Sequence, residues 1–411
     1  ARIPWLSPHQ FYQVAAPNTT LDDIVSNGKP NVLVVAAHQD DEIIGMGGSM
    51  KVMSEGVSLR PSDVTYDDYL AKGFGPSIQV SLRDPAAAEK LEPFVTNLAE
   101  RRPTPTGLGF YSREEVEQVR MTLAKGKIRL NVPLEASNIV TVYVTDGAKT
   151  PDTVLKDLQA AHPGWTPERI VDYYGWFFDN KPSDLATITG NLNRQRYAET
   201  IFALAQVGGH AACFLEYPSS QIKGGNEQAT SDLAEVIQRL QPMAIYTLSP
   251  FEIKHDTHIA VSAITIEAVR KAMPRLETAP VLRGYAVWNP FGFSEPAAEI
   301  ELVDISDSWG AKLDALHAHS MLGSQGTFGF RRRYEEMIEA NKVVASILHN
   351  PEKSMSGLEG FHAHFRRPRL PDGLWAAETF VVMDEFLRKP DLSLKAFVQN
   401  YFNEFMRTYP L

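Results

Sequence analysis

The chain has 411 residues, enough for one large elaborated domain or two ordinary ones with full cores. A net charge of −10 excludes a general nucleic-acid surface, which needs clustered Lys and Arg, and the one basic run, Arg331 to Arg333, is too short to supply it. Cys213 is the only cysteine, so an intramolecular disulfide and a cysteine-rich zinc site are both excluded.

Residues 1–30 contain Pro4, Pro8, Pro17 and Pro30 and read as an extension packed on the main body. The chain begins at Ala1, as expected where a leader has been removed, and the compartment stays open between cytoplasmic and exported. Val32 to Ala36 reads as a short strand without a solvated face, and Gly45 to Met53 as the start of a helix. Residues 55–137, rich in proline, look like an insertion with a helical patch at 112–124. A second strand is expected over Ile139 to Val144, followed by an irregular insertion at 148–190. Helices are expected over Asn193 to Val207, Ser231 to Leu240 and Ile259 to Ala272, with strands at Ala212 to Leu215 and Met243 to Leu248. Further strands are read at Gly284 to Trp288, Glu299 to Val303 and around Phe380. A long helical region runs to Leu348 and a last helix lies near Leu394 to Met406.

Alternating strands and helices predict an α/β, Rossmann-like, mainly parallel sheet with helices on both faces. The expected division is an extension at 1–30, an α/β domain at 31–350 carrying both insertions, and a segment at 351–411 packed on the same domain. No apolar run approaches the roughly 20 residues of a membrane span.

The stretch Asn31 to Met50 organises this reading. Its apolar strand runs into His38, Asp40, Asp41 and Glu42, then into Gly45, Gly47 and Gly48. Ligands of open α/β sheets bind outside the carboxyl ends of strands, where these groups fall. A catalytic zinc commonly has three protein ligands and a fourth position for water. His38 and Asp41, with His258 after a second strand, would supply two imidazoles and one carboxylate. Asp40 would act as general base on the water, and His255 would stabilise the oxyanion or protonate the leaving amine. That combination makes a hydrolase. Glu42 reads as a helix-N-terminal acid or a partner of the ligands. The pairs His317/His319 and His362/His364 are weaker candidates for a second metal, and Tyr173, Tyr174, Trp176, Phe177 and Phe178 read as packing before sugar platform.

The AHQDDEIIGMGG stretch with the later HDTH resembles the PIG-L/LmbE-like family of zinc-dependent N-deacetylases. Arg196 and Glu199 in RYAETIFALAQVGG, the FLEYP segment at Phe214 to Pro218, Lys312 to Gln325 and Ala377 to Phe380 follow the family's order. The resemblance implies His38, Asp41 and His258 as zinc ligands, Asp40 as base, His255 as partner of the tetrahedral intermediate, and Arg196 as a contact to a sugar hydroxyl or phosphate. It also implies Zn2+ as cofactor, with Fe2+ an alternative, and as partner a small N-acetyl sugar or glycoconjugate, the oligomeric state staying unknown. Gln39 replaces the family's Pro and is expected to be tolerated because only backbone shape is involved. Asp256, Thr257, Ser219 and Ala148 also depart, which alters the tuning of His255 and the recognition chemistry of the pocket. Two other readings stand beside deacetylation: a zinc amidase for another acyl group or a non-sugar amide, and a carbohydrate-binding protein on a degenerate scaffold.

Overall fold

The computed structural model describes residues 11–13, 21–56, 77–81, 128–133, 136–176, 178, 180–222, 225–252, 255–287, 300–305, 307–319 and 377–396. The helical patch at 112–124, the His362/His364 pair and most of the last expected helix lie outside them.

In chain order the strands are β1 (Phe11–Gln13), β2 (Asn31–Ala36), β3 (Ser77–Ser81), β4 (Ile128–Pro133), β5 (Asn138–Thr145), β6 (Ala211–Tyr217), β7 (Ala244–Leu248), β8 (Val281–Tyr285), β9 (Ile300–Asp304) and β10 (Ala377–Val382). Among the described residues they form one sheet in the order β1-β6-β5-β2-β7-β8-β10-β9-β4-β3. The stretch from β6 to β8 is parallel throughout. Successive strands β2, β5 and β6 grow the sheet in one direction, and β7 then returns to the other side of β2. That reversal creates a switch point between β2 and β7, where the crevice beyond the strand ends opens. The expected mainly parallel α/β sheet is therefore present. β2 is buried along its whole length because both faces are covered, which explains its lack of alternation.

The helices are α1 (Leu21–Ser26), α2 (Asp41–Glu55), α3 (Pro151–Ala161), α4 (Pro167–Gly175), α5 (Leu185–Gln206), α6 (Ser219–Ile222), α7 (Glu227–Leu240), α8 (Asp256–Ala272), α9 (Trp309–Ala318) and α10 (Glu385–Arg388). α2, α5 and α9 pack against one another, while α7 and α8 form a separate pair over β2, β6 and β7. Residues 148–190 are helical rather than irregular. Thr150 and Thr166 each cap a helix whose first residue is proline, accepting from Thr153 N–H and Arg169 N–H. Val154, Leu158, Ile170, Tyr174, Ile188 and Leu192 give this unit a small core of its own. Tyr174 belongs to that core, whereas Tyr173 and Trp176 are exposed.

The glycine-rich stretch does not start α2, which already begins at Asp41. It accommodates a break instead: Met46 has φ −149° and ψ 17° inside the helix. A Cβ added at Gly45 would lie 2.3 Å from Cδ2 of Tyr285 and 3.1 Å from the carbonyl of Ala286. Gly45→Ala should therefore destabilise the fold by about 1–3 kcal/mol through overpacking, read from the midpoint of denaturant unfolding. An unshifted midpoint would show that the ring moves aside freely.

β10 enters the sheet antiparallel between β8 and β9. Arg283 of β8 ties this region together, pairing with Glu301 of β9 at 2.9 Å and with Asp384 after β10 at 2.9 Å. No described helix is long and apolar enough to cross a membrane.

Candidate metal centre

His38 and Asp41 follow β2, and His255 and His258 follow β7, so the pairing of those two strands brings the motifs together. The expectation that the second strand neighbours the first holds. Asp41 stands between the two histidines. Its Oδ2 lies 3.3 Å from His38 Nδ1, and its Oδ1 lies 3.4 Å from His258 Nε2. The Asp41 Oδ2 also accepts the backbone N–H of His38 at 2.8 Å, which fixes the carboxylate's direction. The rings of His255 and His258 are tilted by 32° with 3.9 Å between centroids, and the His38 ring lies 5.3 Å and 5.4 Å from them. His38, His255 and His258 each offer a ring nitrogen within 4.8 Å of the others.

Electrostatics bind this group tightly. Burial alone would raise the Asp41 carboxyl, but the charges of His258 and His38 outweigh it and hold it well below the usual carboxylate range. Burial alone would lower the His258 imidazole, but Asp41 and then Glu252 push it up to about 10.

Whether the residues fit a metal is answered by His258. Its Nε2 is fully buried and has no hydrogen-bond partner, an expensive state for a polar atom unless something else satisfies it. Its other nitrogen, Nδ1, meets Glu252 Oε2 at 3.1 Å, while Glu252 Oε1 accepts the Val287 N–H at 2.7 Å. A carboxylate holding one ring nitrogen of a histidine while the other faces outward is the arrangement that orients a metal-ligating imidazole. The donor set is suited to a divalent ion such as zinc.

Glu252 escaped the sequence reading. Nothing in its spacing marks it, because its role arises from the turn Ser249 to Glu252 that folds back on His258. Replacing Glu252 with Gln should weaken zinc binding by about 10–100-fold at neutral pH, measured by competition with a chelator. Unchanged affinity would remove Glu252 from the site.

Asp40 is buried and precedes α2 without capping it by its side chain. Glu42 is fully buried and accepts a hydrogen bond from Tyr143 OH of β5. Burial pushes the Glu42 carboxyl up to about 8, against that hydrogen bond. It lies in the first turn of α2, as the helix-N-terminal acid read from sequence. The Gln39 side chain is buried too, contrary to the expectation that only backbone shape matters at this position. Its Nε2 donates to the Asp146 carbonyl at 3.0 Å and its Oε1 presses on Gly147. Gly147 has φ +58°, and a Cβ there would collide with Gln39.

Arg196 of α5 reaches the same loop, donating from Nη1 to the Gly147 carbonyl. It therefore flanks the His38 motif through Gly147 and Gln39, with its Nε buried and without a hydrogen-bond partner. His319 is buried while His317 is exposed, so the two do not converge on a second metal. Burial, and then the charge of Arg196, pull the His319 imidazole down to about 3. Among the described residues the three-histidine cluster is the group able to hold an ion.

The fold is similar to several solved structures at low identity. A 4-carboxy-2-hydroxymuconate hydratase from Pseudomonas putida is 12% identical with a TM-score of 0.45, covering 86% of this chain and 96% of its own. An N,N'-diacetylchitobiose deacetylase from Pyrococcus horikoshii is 14% identical with a TM-score of 0.44, covering 90% of each chain. An antimicrobial-reagent pseudoaglycone deacetylase is 13% identical with a TM-score of 0.41, covering 86% of this chain and 97% of its own. Among curated proteins none matches the sequence. Residues 130–269 match the PIG-L family model, described as GlcNAc-PI de-N-acetylase. That span holds Arg196, Glu252, His255 and His258, while the motif from His38 to Asp41 lies before it, so the match takes in the second half of the candidate centre.

Proposed function

We propose that this protein is a zinc-dependent hydrolase that removes the acetyl group from an N-acetylated amino sugar or glycoconjugate. The observation that carries the reading is the buried, unsatisfied Nε2 of His258 facing Asp41 beside His38. In this reading His38, Asp41 and His258 hold the ion. When bound, zinc lowers the pKa of a coordinated water and polarises the substrate carbonyl.

The chain's own residues do the rest. Asp40 takes the proton from the attacking water as the new C–O bond forms. His255, its ring 3.9 Å from that of His258, gives a proton to the amide nitrogen as the C–N bond breaks, so the products are acetate and a free amine. Arg196 contacts a substrate hydroxyl or phosphate from the flank of the site. His38, with about a fifth of its side chain exposed, marks the side open to solvent. The PIG-L match supports an N-acetylated sugar as the substrate class.

His255 lies within ligating reach of the same ion as His38 and His258. His255→Ala should keep zinc and lose turnover; loss of zinc would make His255 a ligand instead. The deciding assay follows acetate and amine release across a panel of N-acetyl sugars. Activity should vanish with a chelator and return with zinc. A zinc-loaded protein that releases no acetate from any of them, or that prefers longer acyl chains, would overturn the assignment.

A further inference from the structure

We propose that the buried Lys312–Glu378 ion pair is a positioning device for the metal centre: inserted into the break of α2, it sets the direction in which the first turn of that helix presents Asp41. The consequence for metal rests on the reading of Asp41 as a ligand; the insertion itself does not.

An unbroken α-helix pairs each N–H with the carbonyl four residues back, which at this point means Gly48 with Ile44. Here the Gly48 N–H donates to Glu378 Oε1 at 3.1 Å and the Ser49 N–H to Glu378 Oε2 at 2.7 Å. The Ile44 carbonyl accepts from Lys312 Nζ at 2.9 Å, and Lys312 donates in turn to Glu378 Oε1. The ion pair thus bridges the rung that the break opens: a carboxylate for the amides below it and an ammonium for the carbonyl above it. Side chains inserted into the helical ladder are a recognised cause of kinks. The Ser308 hydroxyl holds the Gly48 carbonyl at 2.8 Å, so the lower segment is anchored on both sides.

Stability alone does not explain this pair. Both side chains are fully buried, and a buried ion pair is often matched or bettered by apolar residues of similar volume. What an apolar pair cannot do is satisfy two amides and one carbonyl at a fixed angle. The short upper segment, from Asp41 to Gly45, carries the carboxylate that touches His38 and His258. Its angle to the rest of α2 is held by residues of α9 and β10, which belong to neither motif.

The test uses three variants of the full chain: Lys312→Met/Glu378→Met, the charge swap Lys312→Glu/Glu378→Lys, and the conservative Glu378→Gln. Amide hydrogen exchange at Gly48 and Ser49 is measured on metal-free protein, and zinc affinity by chelator competition. In the double-Met variant exchange at both amides should quicken at least tenfold and zinc affinity fall about 10–100-fold, the range typical for groups that orient ligands. The swap should fail to rescue either property although it keeps an ion pair, because an ammonium at position 378 cannot accept from the amides. Glu378→Gln keeps an acceptor for one amide and should lose less of both. Wild-type exchange in the double-Met variant overturns the insertion whatever the metal does. Quickened exchange with wild-type zinc affinity overturns the positioning role. Wild-type protein that takes up no zinc overturns the metal reading of the site, with the exchange data still deciding the insertion.

Discussion

Asp40→Asn should leave zinc bound at wild-type affinity and cut acetate release by about 10²–10⁴-fold, the share usually carried by a positioned general base. The substitution is nearly isosteric, and Asp40 makes no side-chain cap to α2, so the helix start should survive it. Asp41 keeps its own contacts to His38 N–H and to both imidazoles, which separates the effect from ligand loss. The loss should appear in kcat, with zinc stoichiometry unchanged by elemental analysis. A variant with full turnover would end the role assigned to Asp40.

His258→Ala should weaken metal binding and cut activity together. One ligand's share of a typical zinc binding free energy is roughly 3 kcal/mol, or about 10²-fold in affinity, and the loss of ordering through Glu252 adds to it. The variant also leaves Glu252 buried beside a cavity, its Oε2 without the imidazole nitrogen it now meets while its Oε1 still accepts the Val287 N–H. Unfolding should therefore shift to lower denaturant as well, by an amount excess zinc does not restore. Stoichiometric zinc in a folded His258→Ala protein would show that His38, Asp41 and His255 form the true ligand set.

The centre was legible because each half is contiguous in sequence and falls at the end of an apolar strand. His38 to Glu42 and His255 to His258 needed only the β2–β7 pairing to meet, and a parallel α/β sheet supplies it. Residues whose roles come from a turn or from distant packing were not legible. Glu252 acts because one loop folds back on α8. Gln39 packs where it does because Gly147, lacking a Cβ, leaves room for it. The helices at 151–161 and 167–175 carried visible start signals in Thr150-Pro151 and Thr166-Pro167, yet surrounding aromatics and prolines gave the stretch an irregular look. Gly45 to Gly48 misled in the opposite sense: glycines that suit a helix entrance also suit a helix pressed against Tyr285 and Ile305.

The place of β10 has a consequence for how the protein is made. This strand comes late in the sequence but sits inside the sheet, with β8 on one side and β9 on the other. During vectorial synthesis both neighbours emerge from the ribosome long before it and wait with unpaired edges, a state prone to association with other chains. Closing the gap also delivers Glu378 to α2 and Asp384 to Arg283. A polypeptide stopped before Ala377 would hold His38 to Asp41 and His255 to His258 yet have neither β10 between β8 and β9 nor a braced helix. Translation of this one late strand therefore supplies both the missing sheet pairing and the brace of α2.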